Sequence, residues 1–203
     1  DRMKKREIRY RVRQALWEQD DRSPHRYDHQ GDGVCGDTAV FVGASDCIFA
    51  SRVHRRFEKI VVFEPDSLWR DSIRNTLSGF SGCDSEIIEQ AVGERNTAST
   101  VTIDSIFKDR LQSIDFIQAD IEGGEIGMLK GAFRLLETSQ RMRLSVCCYH
   151  HAAHELEISD ILKRFGFKVC TTPGYILPFT EYPLAYPYVR RGVVQAVKAG
   201  HLF

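Results

Sequence analysis

Three acids stand together where an apolar run ends. In "IDFIQADIEGGEIGMLKGA", Ile114 to Ala132, the core-type residues Phe116 and Ile117 lead into Asp120, Glu122 and Glu125, with Gly123 and Gly124 between them. A second apolar run, "SVCCYH", ends at His150. Carboxylates and an imidazole are the groups that move a proton to or from a hydroxyl near neutral pH, a service worth about 10²- to 10⁴-fold in rate. Another acid, Glu64, closes "VVFEP" and lies 21 residues beyond Gly43 of "FVGASDC". An acid about 20 residues after a glycine turn, at the tip of a second strand, is placed to accept both hydroxyls of an adenosine ribose. Pro65 then stops the strand. Small residues at Gly43 and Ala44 let backbone N–H groups approach a ligand at a helix N-terminus. Plainer readings stand beside these: tight packing for the Gly-Ala turn, an exposed strand end for Glu64, and a backbone-bonded ring for His150.

These residues need a scaffold that gathers run ends. From Asp37 onward short apolar runs alternate with longer amphipathic ones: "TAVFVG", "KIVVFEP", "EIIEQAV", "IDFIQAD", "RLSVCCYH", "FKVCTT" and "GVVQAVK". The alternation predicts a doubly wound α/β domain, a mostly parallel sheet with helices on both faces. In such sheets ligands bind beyond the carboxyl ends of the strands, so Asp120 to Gly124 belong at the crevice. The division is an N-terminal helical extension and loop over 1–35 and one domain over 36–203. Ile8, Val12, Ala15 and Leu16 follow helical spacing among basic residues and predict an amphipathic helix packed on the domain. The connection from Ala91 to Phe107 is thin. "TTPGYILPFTEYPLAYPYVRRG" reads as a long hairpin insertion between the last two strands, a roof for a pocket, a cover for a sheet edge, or a dimer contact; Arg190 and Arg191 are candidate readers of an anionic acceptor.

Bulk properties narrow the partners. The 203 residues carry 28 Lys plus Arg against 28 Asp plus Glu, so no net field draws the chain to nucleic acid or an anionic membrane. No apolar run approaches the roughly 18 residues that span a bilayer, and the charged first twenty residues give no secretory signal. Six cysteines without a CxxC pair read as reduced thiols, which favours a cytoplasmic setting, and Cys147 and Cys148 should face opposite sides of a strand. The expected partner is a small molecule, with a homodimer left open. His150 and His154 have the i, i+4 spacing of a helical zinc pair but lack a third ligand; a divalent ion such as magnesium on Asp120 and other carboxylates is the stronger of the two metal readings, but neither is favoured and no metal is assigned.

The blocks "VVFEPD", "TIDSI", "IDFIQADIEGGEIGMLKGA" and "SVCCYHHAAHELEISDILKRFGF" together resemble the FkbM-type methyltransferases, over roughly Gly36 to Lys198. The resemblance implies the class I methyltransferase (Rossmann-like) fold with a seven-stranded sheet, S-adenosylmethionine as donor, and O-methylation of a small-molecule, sugar or secondary-metabolite hydroxyl. It also implies Gly43, Ala44, Ser45 and Asp46 for the methionine part, Glu64 followed by Pro65 for the ribose, Gln90 and Ala91 for the adenine, and Asp120 for the donor. His150, Asp120 and Glu122 are then the candidate catalytic groups, with His150 as base. One block departs from the family pattern Asp-x-Gly-Ala-x-x-Gly, because Phe41 stands at the acid and Cys47 at the last glycine. Asp46, Asp37 or Asp120 could replace the missing acid; otherwise the chain is a methyltransferase-fold binding or scaffold module.

Overall fold

A computed structural model describes residues 9–10, 12–13, 16–28, 33–44, 47–178, 183 and 186–198. In chain order the elements are β1 (Gly36–Val42), α1 (Ile48–Val53), β2 (Phe57–Phe63), α2 (Ser67–Ser78), β3 (Asp84–Ile88), β4 (Ala91–Val92), β5 (Thr100–Val101), α3 (Ile103–Ile106), β6 (Ile114–Ala119), α4 (Glu125–Lys130), α5 (Phe133–Thr138), β7 (Met142–Cys147), α6 (His154–Arg164), β8 (Lys168–Thr171) and β9 (Val193–Lys198). Each of the seven apolar runs becomes a strand of one sheet in the order β3-β2-β1-β6-β7-β9-β8. Pairing is parallel from β3 to β7, and β9 runs antiparallel to both β7 and β8. The order reverses at β1, so β1 and β6 part company on leaving the sheet and open the crevice at their carboxyl ends.

Alternation along the strands divides the core in two. Val40, Val42, Ile117, Ala119, Leu144, Val146 and Cys148 pack with α4, α5 and α6 on one face. Ala39, Phe41, Phe116 and Cys147 pack with α1 and α2 on the other, so Cys147 and Cys148 do face opposite sides. All six cysteines are free. Local signals set the helices: the Asp66 carboxylate accepts the Leu68 N–H at 2.9 Å and starts α2, and Thr102 caps α3 through the Ser105 N–H at 3.1 Å. Asp104 accepts the N–H groups of Arg134 and Leu135 at 2.7 and 2.9 Å, which ties the thin connection to the start of α5. That connection is filled by the β4–β5 ladder.

The N-terminal segment departs from expectation. Residues 9–10, 12–13 and 16–18 are helical. Yet Val12 and Leu16 are exposed, as are Tyr10 and Trp17, so the described part of the apolar stripe does not pack on the domain. Ile8 and Ala15 lie outside the described residues. What packs is the segment that follows. Gln19, His25, Arg26 and Tyr27 are buried, and this stretch covers the sheet beside α1. Its backbone is bonded by Ser145 Oγ to the Tyr27 carbonyl at 2.6 Å, Gln195 Nε2 to the Asp28 carbonyl at 3.0 Å and Arg52 Nη1 to the Gln19 carbonyl at 2.9 Å. No helix among the described residues is long and apolar enough to cross a membrane.

Candidate active site

At the sheet's switch point the chain ends meet closely. The Asp120 N–H bonds the Val42 carbonyl at 3.0 Å, and the Gly43 N–H bonds the Phe63 carbonyl at 3.0 Å. Gly43 has φ 74°, and a Cβ there would lie 2.0 Å from the Asp120 carbonyl oxygen, so only glycine allows the β1 and β6 tips to touch. Glu64 leaves β2 on the same edge. Its carboxylate is buried and accepts the Asp66 N–H at 3.0 Å through Oε1, while its own N–H bonds the Ile88 carbonyl at the end of β3. The β2–β3 register sets Phe63 against Ile88, which carries Gln90 and Ala91 past the same edge as Glu64 and Pro65. Gly43, Ala44, Glu64, Gln90, Ala91 and Asp120 therefore share one side of the molecule; Ser45 and Asp46 lie outside the described residues.

Asp120 is the hub of a buried acid–histidine cluster. Its Oδ1 stands 3.3 Å from His150 Nε2, and its Oδ2 stands 3.2 Å from His25 Nε2 and accepts the Tyr27 hydroxyl at 2.8 Å. The Tyr149 hydroxyl lies 3.4 Å from Oδ1. Behind His150, Nδ1 is 3.0 Å from Glu125 Oε1, and Glu125 Oε2 is 3.4 Å from His154 Nδ1. Glu125 is fully buried, and its Oε1 accepts the Ile121 and Gly123 N–H groups at 3.0 and 3.4 Å, which holds the turn from Asp120 to Gly124. Glu122 is the exposed member, with its Oε2 3.6 Å from His150 Nε2 and its side chain 90% exposed. At φ 52° its backbone sits in the left-handed region, which costs about 1–2 kcal/mol for a residue with a Cβ. His150 precedes α6 while His154 opens it, so the two are not a ligand pair on one helix.

Charge follows from these contacts. Burial alone would raise the Asp120 pKa, but His150 and His25 outweigh it and hold the carboxyl well below the usual carboxylate range. For His150, burial acts to lower the pKa, yet Asp120 and Glu125 push it up to about 10. With its pKa so raised the ring is charged at neutral pH, and a base role for it requires that its own proton leave first. His25 shows the same balance, with burial lowering and Asp120 raising its pKa to a net increase. Burial places the Tyr27 and Tyr149 hydroxyls far above their ordinary range, so both donate.

Spacing does not single out His25 or Tyr27, because each reaches Asp120 from a turn-rich segment about ninety positions away in the chain. The available signal was polar residues inside apolar strands. Gln118, Ser145 and Gln195 are all buried, and the latter two bond the backbone of the N-terminal segment.

At the altered first motif, Phe41 is buried among Phe49 and Phe116, with ring centroids 6.2 and 6.1 Å away. Cys47 has φ 53° and ψ 20°, the left-handed conformation that glycine adopts freely, at the position where the family pattern has glycine. Asp37 stands at the amino end of β1 and bonds Asp115, so it does not replace the missing acid. Asp120, with Glu18, Gln19, Tyr27, Phe41, Gly43, Ala44 and Cys47, lines a cavity of about 70 Å³.

The hairpin insertion between β8 and β9 is closed by the Ile176–Arg190 bridge. Arg190 does not reach for an acceptor. It is buried and donates through Nη1 to the Tyr149 and His150 carbonyls at 3.0 and 3.1 Å, which fixes the end of β7. Arg191 lies over the Tyr175 ring at 4.3 Å and donates to the Gly174 carbonyl at 3.1 Å.

Comparison with known proteins agrees with this architecture. The precorrin-6y C5,15-methyltransferase of Geobacter metallireducens superposes with a TM-score of 0.54 at 14% identity, over 81% of this chain and 82% of that one. The rRNA methylase of Streptococcus thermophilus gives 0.51 at 12% identity, over 82% and 89%. The N-methyltransferase NodS of Bradyrhizobium japonicum gives 0.50 at 8% identity, over 83% and 88%. At such identities the likeness shows the fold, which is that of the class I methyltransferases. No curated protein matches the sequence. Residues 73–169, from within α2 to within β8 and including the Asp120–Glu125–His150 cluster, match the methyltransferase FkbM domain.

Proposed function

We propose that the chain is an S-adenosylmethionine-dependent enzyme that methylates a hydroxyl of a small-molecule, sugar or secondary-metabolite acceptor. The observation that carries the reading is the row formed at one sheet edge by buried Glu64, the Gly43 turn and Asp120. The donor supplies a methyl carbon activated on a sulfonium. Glu64, oriented by the Asp66 N–H at 3.0 Å, suits the ribose hydroxyls. Gln90 and Ala91 flank the adenine, with Pro65 ending β2 beside them. Gly43 and Ala44 face the methionine part, to which the family resemblance also assigns Ser45 and Asp46. At that end the fit differs from the family pattern, since Phe41 offers no charge, and Glu18 and Asp120 are the carboxylates lining the cavity that could meet the donor's ammonium. Transfer is an in-line displacement, so alignment of oxygen, carbon and sulfur does most of the work. The hydroxyl proton goes to His150 once that ring has lost its own proton to solvent, with Asp120 orienting the ring and Glu122 at the mouth. Neither nucleic acid nor membrane is a partner in this reading.

A specific observation favours a second reading, a methyltransferase-fold binding or scaffold module: the apolar Phe41 at the position of the acid. Calorimetry with S-adenosylmethionine and S-adenosylhomocysteine separates the two. The enzyme reading expects saturable binding of both, weakened about 10- to 100-fold in Glu64→Ala by loss of charge-assisted hydrogen bonds. Absence of binding by well-folded protein favours the scaffold.

A further inference from the structure

Asp120, Glu125 and His150 each bring one donor atom within 4.8 Å of the others. Two pairs inside the group are close, 3.3 Å from His150 Nε2 to Asp120 Oδ1 and 3.0 Å from His150 Nδ1 to Glu125 Oε1, and because the ring turns one nitrogen to an ion, one of these pairs belongs to a shared site while the third residue closes on it from within the 4.8 Å group. They are nevertheless not aligned for hydrogen bonding: Glu125 Oε2 and both ring nitrogens of His150 make no hydrogen bond. These atoms are deep, with the Glu125 side chain 0% and the His150 side chain 7% exposed. Close spacing without mutual alignment is the arrangement of ligands around a shared cation. With bonds of about 2.1 Å, adjacent donors of an octahedron stand about 3.0 Å apart and opposite ones about 4.2 Å.

We propose that Asp120, Glu125 and His150 bind one divalent first-row transition-metal ion at the carboxyl ends of β6 and β7. An imidazole beside two carboxylates suits manganese, iron, cobalt or zinc, whereas magnesium and calcium take oxygen ligands. Groups behind the ligands already orient them, as outer-shell partners do. The Ile121 and Gly123 N–H groups hold Glu125 Oε1, the Tyr27 hydroxyl holds Asp120 Oδ2, and Arg190 holds the His150 carbonyl. Asp120 is 19% exposed and Glu122, at the mouth, is 90% exposed, which leaves an entry path and open coordination positions. A second triad, His25, Asp120 and Cys147, shares Asp120. It is the poorer site, because His25 Nε2 already faces the Tyr149 and Tyr27 hydroxyls at 3.3 and 3.4 Å and Cys147 is wholly buried. The use of the ion rests on the methyl-transfer reading: a hydroxyl oxygen bound to it would lose its proton more readily. Ion binding itself does not depend on that reading.

The test takes the full chain, stripped with EDTA and desalted, and titrates it by calorimetry with Mn²⁺ and with Zn²⁺, following Co²⁺ in parallel by visible absorption. One ion per chain is expected, with affinity at least about tenfold lower in Glu125→Gln and in Asp120→Asn, each checked for fold by circular dichroism, and unchanged in Cys147→Ser. Two variants guard against a folding failure in either. No saturable binding overturns the proposal, as does binding that neither substitution weakens. A thiolate-to-cobalt charge-transfer band abolished by Cys147→Ser also overturns it and moves the ion to the other triad. Donor calorimetry in EDTA is scored separately, so failure of the metal leaves the methyl-transfer reading standing, and failure of the donor leaves the metal site.

Discussion

Replacing Tyr27 by Phe tests whether the N-terminal segment is locked to the reaction site. The change removes one oxygen and keeps the ring, whose edge contact with Phe49 at 5.5 Å needs no hydroxyl, so no apolar packing is lost. What is lost is a buried hydroxyl-to-carboxylate hydrogen bond of 2.8 Å to Asp120 Oδ2. Bonds to charged groups contribute about 1.5–3 kcal/mol net. His25, 3.2 Å from the same oxygen, remains as a partner and keeps the loss toward the lower half, about 2 kcal/mol. With a urea slope of about 2–3 kcal/mol per molar, the unfolding midpoint should fall by about 0.7–1 M at unchanged slope. Equilibrium urea unfolding followed by fluorescence and circular dichroism measures this, and a double-mutant cycle with Asp120→Asn isolates the pair. A loss under about 0.5 kcal/mol, or no coupling in the cycle, would mean that Tyr27 does not sit on Asp120 and that the segment is not seated on the sheet.

Arg190→Ala should lower the melting temperature by about 5–10 °C, because two part-buried carbonyls, those of Tyr149 and His150, lose their donor at a cost of about 2–3 kcal/mol. Differential scanning calorimetry checks it, and a change under about 2 °C would mean that water reaches those carbonyls. Thiol reactivity should divide by burial: iodoacetamide on native protein at pH 8 labels exposed Cys35 and Cys170 first and partly buried Cys83 slowly. Cys47, Cys147 and Cys148 are spared, and because burial pushes the Cys148 thiol up to about 12, raising the pH to 9 does not unmask it. Peptide mass spectrometry gives the order, and early labelling of Cys148 would refute it.

The sheet was legible because each strand carries its own apolar run and the runs are separated by helix-length intervals. Glu64, Asp120 and His150 were legible because such a sheet gathers strand ends on one edge, so a residue following a run is placed without knowing its neighbours. His25 and Tyr27 were not, since they reach the site from a segment with no periodicity, and only their partners' polarity, at Ser145 and Gln195, leaves a trace in the strands. Arg190 misled for the opposite reason. Two adjacent arginines after a proline-rich stretch look solvent-facing, but the antiparallel return of β9 turns Arg190 inward against the backbone that carries His150.

The missing acid of the first motif and the buried N-terminal segment are connected through one line of rings. Phe41 touches Phe49 at 6.2 Å between centroids, Phe49 touches Tyr27 at 5.5 Å, and Tyr27 grips Asp120 at 2.8 Å. A carboxylate at position 41 would stand in that apolar cluster without a partner, and burying an unpaired charge is far costlier than burying a ring. The aromatic residue is thus the one compatible with a segment lying across β1, β6 and β7. That same segment brings Glu18 to the wall of the cavity beside Gly43, and His25 to Asp120. The covering chain thus sets a carboxylate, Glu18, on the cavity wall that Phe41 also lines without charge.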